Sequence, residues 1–573
     1  MNKNFNVKAT IRKNQLTTYN ENITTSMLQK SAGQTGYLAR YATGETYYKE
    51  YNYEALANYN NSFMSNRLSL NINAGANVLD IESKSAAMGT SNGLNVPDYY
   101  AINNSVAQPS VSNGRSQSKV NSLFFNGDLE WNNYASITFA VRNDWYSANP
   151  IDNVDLLSPS VGASFVFSEF TKSNLPWLNF GKVFGSWGKK PRPLSTYQNN
   201  FGYSTGAVLW NGNFLMGTPN GAVSPDLVGS TVSSYEAGID LRFLKGRLGV
   251  NILYYNDDNI GEPLNVAVSG VSGFTSVAQN AVHIQREGLE LQVNASPVKG
   301  KNLNWDISTT FGYSIKNPVV DIFGVPTGRV LLAGGSFGTR FARAFQEKGK
   351  DWGQLIGGGI KRNAEGKMVI NPASGAYDVD ADKHWGSVLP KYTGGFINTL
   401  NYKNLMLTVS FDYQIGGKFF SLSEMWGNFS GLLDETAAIN DKGKNIRDAV
   451  ANGGGVHVVG VSSVDEKTVV DKYVEAQDYF HQFYYGTIAE PFIHDLTFLK
   501  VREASLSYRI PVKNLGKIGK NLQGATFSVT ARNPWIIYRE SKNFDPSEIS
   551  GVQGEDGQLP SVRSIGASLK LSF

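Results

Sequence analysis

The sequence predicts an all-β fold, a transmembrane antiparallel β-barrel, and three observations lead to that prediction. No run approaches the roughly 18 apolar residues that a membrane-spanning helix needs. Many segments alternate strictly between apolar and polar residues, and the connections between them are alternately short and long. The composition agrees, because aromatic residues make up 12% of the chain beside 59 glycines, which suits strands and tight turns.

Strict alternation places apolar and polar residues on opposite faces of a strand. In a membrane barrel one face meets lipid and the other meets an aqueous lumen. The last segment has an apolar face that ends in Phe573 and consists of Ile565, Ala567, Leu569, Leu571 and Phe573. Earlier segments repeat the pattern, with apolar faces at Ala525, Phe527, Val529 and Ala531, at Leu405, Leu407, Val409, Phe411 and Tyr413, and at Phe5, Val7, Ala9 and Ile11.

About 16 such segments can be counted, each close to the 9 to 11 residues that a tilted strand needs to cross the hydrocarbon layer. Working back from the C-terminus, the short connections lie near residues 404, 300, 246, 133 and 62. The long connections are 534–561, 417–493, 316–389, 259–279, 191–229 and 81–117. Short turns on one side and long loops on the other are typical of an outer-membrane barrel, and a soluble β-sandwich has no reason to show them.

Several other classes of protein are disfavoured by the composition. The net charge of +4 gives no electrostatic footprint for nucleic acid, and the absence of cysteine excludes disulfides and thiolate metal sites. The five histidines are scattered without the spacing of metal ligands, so we expect neither a metal site nor a cofactor. Gly334, Ser336 and Gly338 match the G-x-S-x-G pattern of a serine hydrolase, but they lie in a glycine-rich loop without a suitable histidine. We therefore expect no enzymatic activity.

Tryptophans in the long loops are the candidate ligand-binding residues, because an aromatic face offers a large contact area to sugars or peptides at little entropic cost. The alternative is that they pack the loops or belong to the interfacial girdle. The four candidate tryptophans are Trp210, Trp352, Trp385 and Trp426.

One of the outer loops is expected to contain a short helix, because residues 466–483 are predicted to be partly helical.

Six segments, in order, resemble motifs of the SusC/RagA family of TonB-dependent outer-membrane receptors. The longest is FLKVREASLSYRIP at residues 498–511, followed by Asn533-Pro-Trp and the acidic-proline element Asp545-Pro-Ser-Glu548. Upstream lie Ser224-Pro-Asp-Leu before Tyr235-Glu-Ala-Gly-Ile-Asp, Glu287-Gly-Leu-Glu-Leu, and Gly386-Ser-Val-Leu-Pro-Lys before Gly395. These motifs cover about the last 350 residues, and the earlier part matches mainly by its strand pattern.

The resemblance implies a 22-strand barrel with a plug domain inside it, which imports a bulky oligosaccharide or peptide. It also implies a SusD-like surface lipoprotein as a lid and energy from the TonB complex, with outer-membrane lipids around the wall. About 16 strands are present, and no plug, TonB segment or signal peptide is recognisable. We therefore expect residues 1–573 to be the C-terminal β-barrel part of such a receptor, with the plug and N-terminal extension missing. The alternative is a passive 16-stranded porin.

The C-terminal aromatic residue is expected to have a role as well. A terminal aromatic on an alternating strand resembles the signal by which the outer-membrane assembly machinery recognises barrels. Phe573 is accordingly expected to be this barrel assembly signal.

Overall fold

A computed structural model describes residues 4–25, 38–171, 173–211, 213–332, 341–511, 516, 522–549, 551–555 and 557–573. The chain divides into two compact units. The first unit comprises Met1–Phe165, Ser186–Ser234 and Ile260–Asn280. The second comprises Val166–Gly185, Tyr235–Asn259 and Ala281–Phe573.

The first unit contains a run of six antiparallel strands. Each strand pairs with the next in sequence, and tight turns at 64–67 and 132–134 join the second to the third and the fourth to the fifth. Positive φ angles at Met64, Ser65 and Asn66 show how sharply the first of these turns reverses the chain. The strands are β1 (Phe5–Thr24), β2 (Arg40–Phe63), β3 (Leu68–Leu94), β4 (Ser105–Trp131), β5 (Ala135–Tyr146) and β6 (Asp155–Phe165).

The middle of the chain continues with long strands. Several of these strands have some of their residues assigned to the first unit and the others to the second. Two short strands here, β8 and β9, form a hairpin within the first unit. The elements are the single-turn helix α1 (Ser168–Thr171), β7 (Leu178–Pro191), β8 (Ser204–Trp210), β9 (Asn213–Gly217), β10 (Gly221–Val223), β11 (Thr231–Phe243), β12 (Leu248–Ala267) and β13 (Ser276–Lys299).

The rest of the second unit combines wall strands with smaller loop elements. Its strands are β14 (Leu303–Lys316), β15 (Val319–Ile322), β16 (Arg329–Leu331), β17 (Ala342–Glu347), β18 (Gln354–Ile360), β19 (Val369–Ile370), β20 (Val379–Ser387), β21 (Tyr392–Tyr402), β22 (Leu405–Ile415), β23 (Lys418–Ser421), β24 (Val456–Ser462), β25 (Val469–Val474), β26 (Ile493–Asp495), β27 (Phe498–Ile510), β28 (Gly524–Arg539), β29 (Gly554–Glu555) and β30 (Ser564–Ser572). Its helices are α2 (Leu422–Phe429) and α3 (Ala476–Tyr485). No helix in the described ranges is long and apolar enough to cross a membrane.

The wall of the second unit is an antiparallel ladder in the order β13, β14, β21, β22, β27, β28, β30. Its register keeps apolar side chains together on one face, as where Leu407 faces Leu400 on one side and Leu506 on the other. Leu400 and Leu407 are each 39% exposed and Leu506 is 46% exposed, as a lipid-facing surface requires.

The expected number of strands is confirmed. Apart from β20, which belongs to a small loop sheet, sixteen strands of the described residues are nine residues or longer. An all-β antiparallel fold is likewise confirmed.

Two of the expected long loops are instead largely strand. The region 81–117 is mostly taken up by β3 and β4, which are 27 residues long and stay paired up to Leu94 and Ser105. Likewise, β12 and β13 reduce the expected loop 259–279 to residues 268–275. Beyond the membrane both faces of a strand meet water, so the strand persists while its apolar–polar alternation disappears. The expected helix within 466–483 is found, but it begins only at Ala476 and is preceded by β25.

Candidate functional site

The long loops of the second unit fold into a compact body, here called the loop assembly, which comprises the described parts of 318–390, 416–497 and 540–563. Three small sheets build it: β16–β17–β18–β20, β19–β24–β25 and β26–β23–β29. Its buried core, here called the loop core, consists of Phe341, Ala342, Ala344, Leu355, Ile360, Val388, Phe420, Leu422, Met425, Ile446, Ala476, Phe480, Phe483, Ile488, Ala489 and Phe492. These loops are therefore a folded scaffold that can hold side chains in fixed positions.

Strand β18 runs through the middle of this body and is buried along its whole length. Its three consecutive glycines let neighbouring backbone approach closely. A Cβ on Gly357 would lie 2.2 Å from the Phe341 carbonyl oxygen, and one on Gly358 would lie 2.1 Å from the Thr487 carbonyl oxygen. Only glycine fits here, because each added carbon would overlap main-chain atoms.

Helix α2 is fixed at its N-terminus by two oxygen acceptors. Ser421 Oγ accepts a hydrogen bond from Glu424 N at 3.2 Å. The carboxylate of Glu555, which is 1% exposed, accepts from Ser421 Oγ, Ser423 N and Ser423 Oγ at 3.0, 2.8 and 2.6 Å. A negative charge at a helix N-terminus is stabilising, so this contact holds β29 against α2.

Helices α2 and α3 meet through aromatic rings. Trp426 and Phe429 on α2 lie 5.2 and 4.9 Å from the Tyr484 ring on α3, measured between centroids. His481 stacks on Phe429 at 4.1 Å and 17°, and its Nε2 lies 3.1 Å from the Phe429 carbonyl oxygen. The two helices are thus locked together by a continuous aromatic contact.

A polar cleft of about 550 Å³ opens beside these two helices. Arg447 holds one side of it by donating to the carbonyl oxygens of Gly431 and Thr436. Asn428 is 5% exposed, and its Oδ1 has no hydrogen-bond partner within the described part of the chain. A buried acceptor of this kind needs a donor from water or from a ligand. The lining residues are Asn428, Phe429, Ser430, Gly431, Thr436, Arg447, Glu475, Ala476, Gln477, Asp478, Phe480 and His481.

Three of the four candidate tryptophans lie in the loop assembly, where each is half-buried against the loop core: Trp352, Trp385 and Trp426. The Lys383 ammonium lies 4.6 Å from the Trp385 ring centroid, and Trp385 Nε1 is buried without a hydrogen-bond partner among the described residues. Trp210, at the end of β8 in the first unit, is 72% exposed. Packing therefore restrains three of these side chains, while a role in ligand binding stays a prediction for all four.

A charged cluster lies next to Trp385. Glu490 binds Arg362 at 2.9 Å and Lys383 at 3.0 Å, and its carboxylate also accepts from Ile360 N at 2.7 Å. Burial opposes ionisation of Glu490, but hydrogen bonds from Arg362, Ile360 and Lys383 outweigh it and hold the pKa of this carboxyl below its usual value. The fixed negative charge keeps Lys383 over the Trp385 ring. No group of three or more potential metal ligands occurs in the described part of the chain.

The structure also joins two motifs that the sequence presents separately. Lys500, in the segment 498–511, is 1% exposed, and its Nζ lies 2.6 Å from Asp545 Oδ2 and 3.1 Å from Ser547 Oγ of the acidic-proline element. Burial raises the pKa of the Asp545 carboxyl, yet donation from Lys500 and Ser547 leaves it below its usual value. Sequence reasoning missed this contact, because nothing in either motif points to the other across the 45 residues that separate Lys500 from Asp545.

Two further sequence predictions stay open. Phe573 directly follows β30 and is 78% exposed, while Ser572 pairs with Gly524 of β28. Its role as an assembly signal remains a prediction. Gly334, Ser336 and Gly338 lie outside the described residues.

Comparison with known proteins gives concordant matches. A family model described as TonB dependent receptor-like, beta-barrel, matches residues 2–433. TonB-dependent receptor P26 of Formosa agariphila is 25% identical over 476 residues, which is 76% of this chain and 44% of that protein. TonB-dependent receptor SusC of Bacteroides thetaiotaomicron is 23% identical over 377 residues, 61% of this chain and 33% of that protein. The chain spans about half or less of the curated relatives it matches.

Solved structures agree on the fold. The RagAB peptide transporter superimposes with a TM-score of 0.74 at 18% identity, covering 100% of this chain and 60% of that chain. The RagAB peptide importer in its open-open state gives 0.72 at 19% identity, covering 100% and 59%. Because the family model matches well over half of the residues, the chain belongs to the TonB-dependent receptor-like β-barrel family and is a protein of the bacterial outer membrane.

Proposed function

We propose that this chain is the barrel part of a receptor that imports a bulky nutrient, an oligosaccharide or a peptide, with energy from the TonB complex. A SusD-like surface lipoprotein is the partner we expect at its outer mouth. Both expectations come from the family and from the names of the relatives, which include SusC and a peptide transporter. The protein is proposed to be a transporter and not an enzyme.

The observation that carries the proposal is the loop assembly. Loops that only limit the width of a pore need no core of their own, whereas the loop assembly has one and presents a polar cleft beside α2 and α3. The cleft combines the ring of Phe429, the guanidinium of Arg447 and the acceptor of Asn428. An aromatic face beside fixed polar groups suits a sugar ring or a peptide segment, since a ligand site needs apolar contact area with a few oriented polar groups.

The four tryptophans keep their proposed role as additional ligand contacts. Trp210 is the most accessible of them, since it is 72% exposed. Trp352, Trp385 and Trp426 offer only the part of each ring that the loop core leaves open.

Uptake measurements on cells that depend on this protein test the proposal. Labelled oligosaccharides and peptides of defined size are supplied to a strain with the gene intact and to a deletion strain, with and without a protonophore. We expect uptake of one ligand class to saturate, to require the gene, and to stop when the proton gradient is dissipated.

The passive porin makes the opposite prediction. Uptake that rises linearly with ligand concentration and continues in the presence of the protonophore would contradict energy coupling and favour a passive channel. Uptake that is the same in both strains would contradict a transport role altogether.

A further inference from the structure

The outward face of β1–β4 changes character sharply along the strands. Residues that pair with one another across the four strands form rows, with one residue from each strand. Two of these rows are apolar: Val7–Ala57–Ala74–Phe125 and Ala9–Ala55–Ala76–Leu123. Val7 and Leu123 are 65% and 57% exposed on this face. Exposed apolar rows on a barrel wall mark the lipid-facing band.

The next row toward the long ends of the strands closes the band and is here called the aromatic row, because it holds Tyr53 and continues to Trp145 on β5. It contains Ile11, Tyr53, Val78 and Asn121, and Asn121 pairs with Trp145 on β5. Tyrosine and tryptophan prefer the membrane–water interface, so this row marks the level of the lipid headgroups. Because the tight turns at 64–67 and 132–134 lie at the opposite end, this level belongs to the outer leaflet.

Five cations follow in the three rows directly beyond this aromatic row. By register they occupy the same outward face and form a group here called the basic patch: Lys13, Lys49, Lys84, Arg115 and Lys119. Two carboxylates, Asp80 and Glu82, share those rows, which leaves an excess of positive charge. The rows span about 13 Å along the strands and the four strands about 14 Å across, the size of one or two lipid headgroups.

The heads of four of these cations are held in place by Glu82 and Tyr51, which lie in the same rows. Glu82 Oε1 lies 2.8 Å from Arg115 Nη2 and 3.2 Å from Lys84 Nζ, so it sets the two cations side by side. Lys49 Nζ lies 4.6 Å and Lys13 Nζ 6.0 Å from the Tyr51 ring centroid. Cations held over an aromatic ring keep their ammonium groups at a fixed height on the wall.

The inward face of the same strand segments lacks such a group. The residues between these rows are Arg12, Asn52, Leu79 and Val120, then Asn14, Glu50, Ile81 and Ser118, then Leu16, Tyr48, Ser83 and Ser116. Arg12 is the one cation among them, and it has Glu54 at 3.7 Å. The accumulation of positive charge is therefore confined to the face that continues the lipid-facing band.

We propose that the basic patch binds the phosphate-bearing headgroup of an outer-leaflet lipid, whose acyl chains lie against the apolar rows below. The patch continues the lipid-facing wall at headgroup height, so its occupant comes from the membrane and not from a soluble macromolecule. Lysine and arginine near a membrane surface attract anionic headgroups, and arginine in particular pairs with phosphate through two parallel hydrogen bonds. Such a contact orients the barrel in the membrane and anchors the long hairpin β3–β4 above it.

Lipid binding by the protein purified in a neutral detergent tests this proposal. The probe is a phosphorylated disaccharide glycolipid, compared with the same lipid after enzymatic removal of its phosphates and with inorganic phosphate alone. Native mass spectrometry gives the bound fraction for each, and the fold is checked by the heat-dependent gel mobility of the barrel. We expect the phosphorylated lipid to bind at least about tenfold more tightly than the dephosphorylated lipid, and less tightly as salt is added.

Two matched triple variants locate the site. Lys13→Gln, Lys49→Gln and Lys119→Gln remove three outward cations from β1, β2 and β4 and keep the Glu82 ion pairs. Lys8→Gln, Arg12→Gln and Arg40→Gln remove three inward cations from β1 and β2. We expect the outward variant to lose about tenfold or more in affinity and the inward variant to stay within about twofold. Equal losses in both variants, or no preference for the phosphorylated lipid, would overturn the proposal. Inorganic phosphate that binds as tightly as the lipid would also overturn it, because the site would then hold a free anion.

Discussion

Lys500 shows how one side chain can fix a long loop to the wall. Its ammonium is almost completely buried and is neutralised by Asp545 at 2.6 Å. Replacing it with methionine leaves that carboxylate, 12% exposed, without its counter-ion. We expect Lys500→Met to lower the free energy of unfolding by about 3–5 kcal/mol, measured by thermal unfolding in detergent, and to make residues 541–561 sensitive to protease.

An exposed ion pair supplies the control for Lys500. Lys367 and Glu365 lie 2.8 Å apart with side chains 56% and 69% exposed, so Lys367→Met should cost less than about 1 kcal/mol. Adding Asp545→Asn to Lys500→Met removes the stranded charge and should recover part of the stability. The same small effect for both single variants would contradict a structural role for Lys500.

His457 is expected to make one contact of the loop assembly depend on pH. Its Nε2 lies 2.8 Å from Asp471 and its Nδ1 2.8 Å from Asp441, so both ring nitrogens face carboxylates. Only the protonated ring can donate to both. The hydrogen bond to Asp471, supported by the charge of Asp441, raises the pKa of His457 above its usual 6.5.

The sign of the pH effect follows from that raised pKa. The stabilisation is fully present below the unfolded-state value of about 6.5 and is lost as the pH rises through the higher folded-state value. We therefore expect the Tm difference between the wild-type protein and His457→Asn to be largest near pH 5.5 and to shrink above about pH 7. A difference that stays constant across this range, or grows with pH, would show that protonation of His457 does not hold the contact.

Single residues were the part of the site that sequence reasoning reached least. The loop tryptophans could be named from their type and position, but the loop core against which three of them pack is built from segments far apart in sequence. The cleft residue Asn428 gave no signal, since an asparagine in a loop is ordinary until its surroundings are known. Lys500 and Asp545 were both noted, but only the fold brings them together.

At the scale of elements, strand identity was predictable and strand length was not. Alternation identified the wall strands because lipid and water impose different chemistry on their two faces. Along β3 that signal ends near Val78, since Asp80, Glu82 and Lys84 follow on the outward face while the strand continues to Leu94. Strand β18 of the loop assembly carries no such pattern, because it is buried on both faces and contains three glycines.

Those glycines provide a prediction at the same scale. Gly358→Ala places a methyl group 2.1 Å from the Thr487 carbonyl oxygen, so the backbone of β18 must shift. We expect a loss of about 1–3 kcal/mol in stability and faster proteolysis within the loop assembly. Gly270→Ala is the matched control, since nothing lies within 4 Å of its added carbon, and it should change stability by less than about 0.5 kcal/mol. Equal effects of the two variants would contradict the close approach at β18.

At the scale of the whole molecule, the position of the wall in the membrane follows from where the outward face changes from apolar to charged. The chain has no cysteine, so single cysteines report their own surroundings. Gln117 lies beyond the aromatic row, so the cysteine of the Gln117→Cys variant should react with a membrane-impermeant maleimide on intact cells. Phe125 lies in the apolar band and is 39% exposed. The cysteine of the Phe125→Cys variant should therefore react only with a lipid-soluble maleimide, because hydrocarbon excludes the charged, impermeant reagent.

The pair of reagents makes the outcome decisive, since labelling of Phe125→Cys by the lipid-soluble reagent proves that its thiol is exposed on the folded wall. If the impermeant reagent labels both variants, the apolar rows face water and the assigned outward face is wrong. If it labels neither, the boundary lies further along β4, the basic patch falls within the membrane, and its proposed contact with headgroups fails with it. Labelling of Gln117→Cys alone places the headgroups between these two residues, at the level where Lys119 and its neighbours stand.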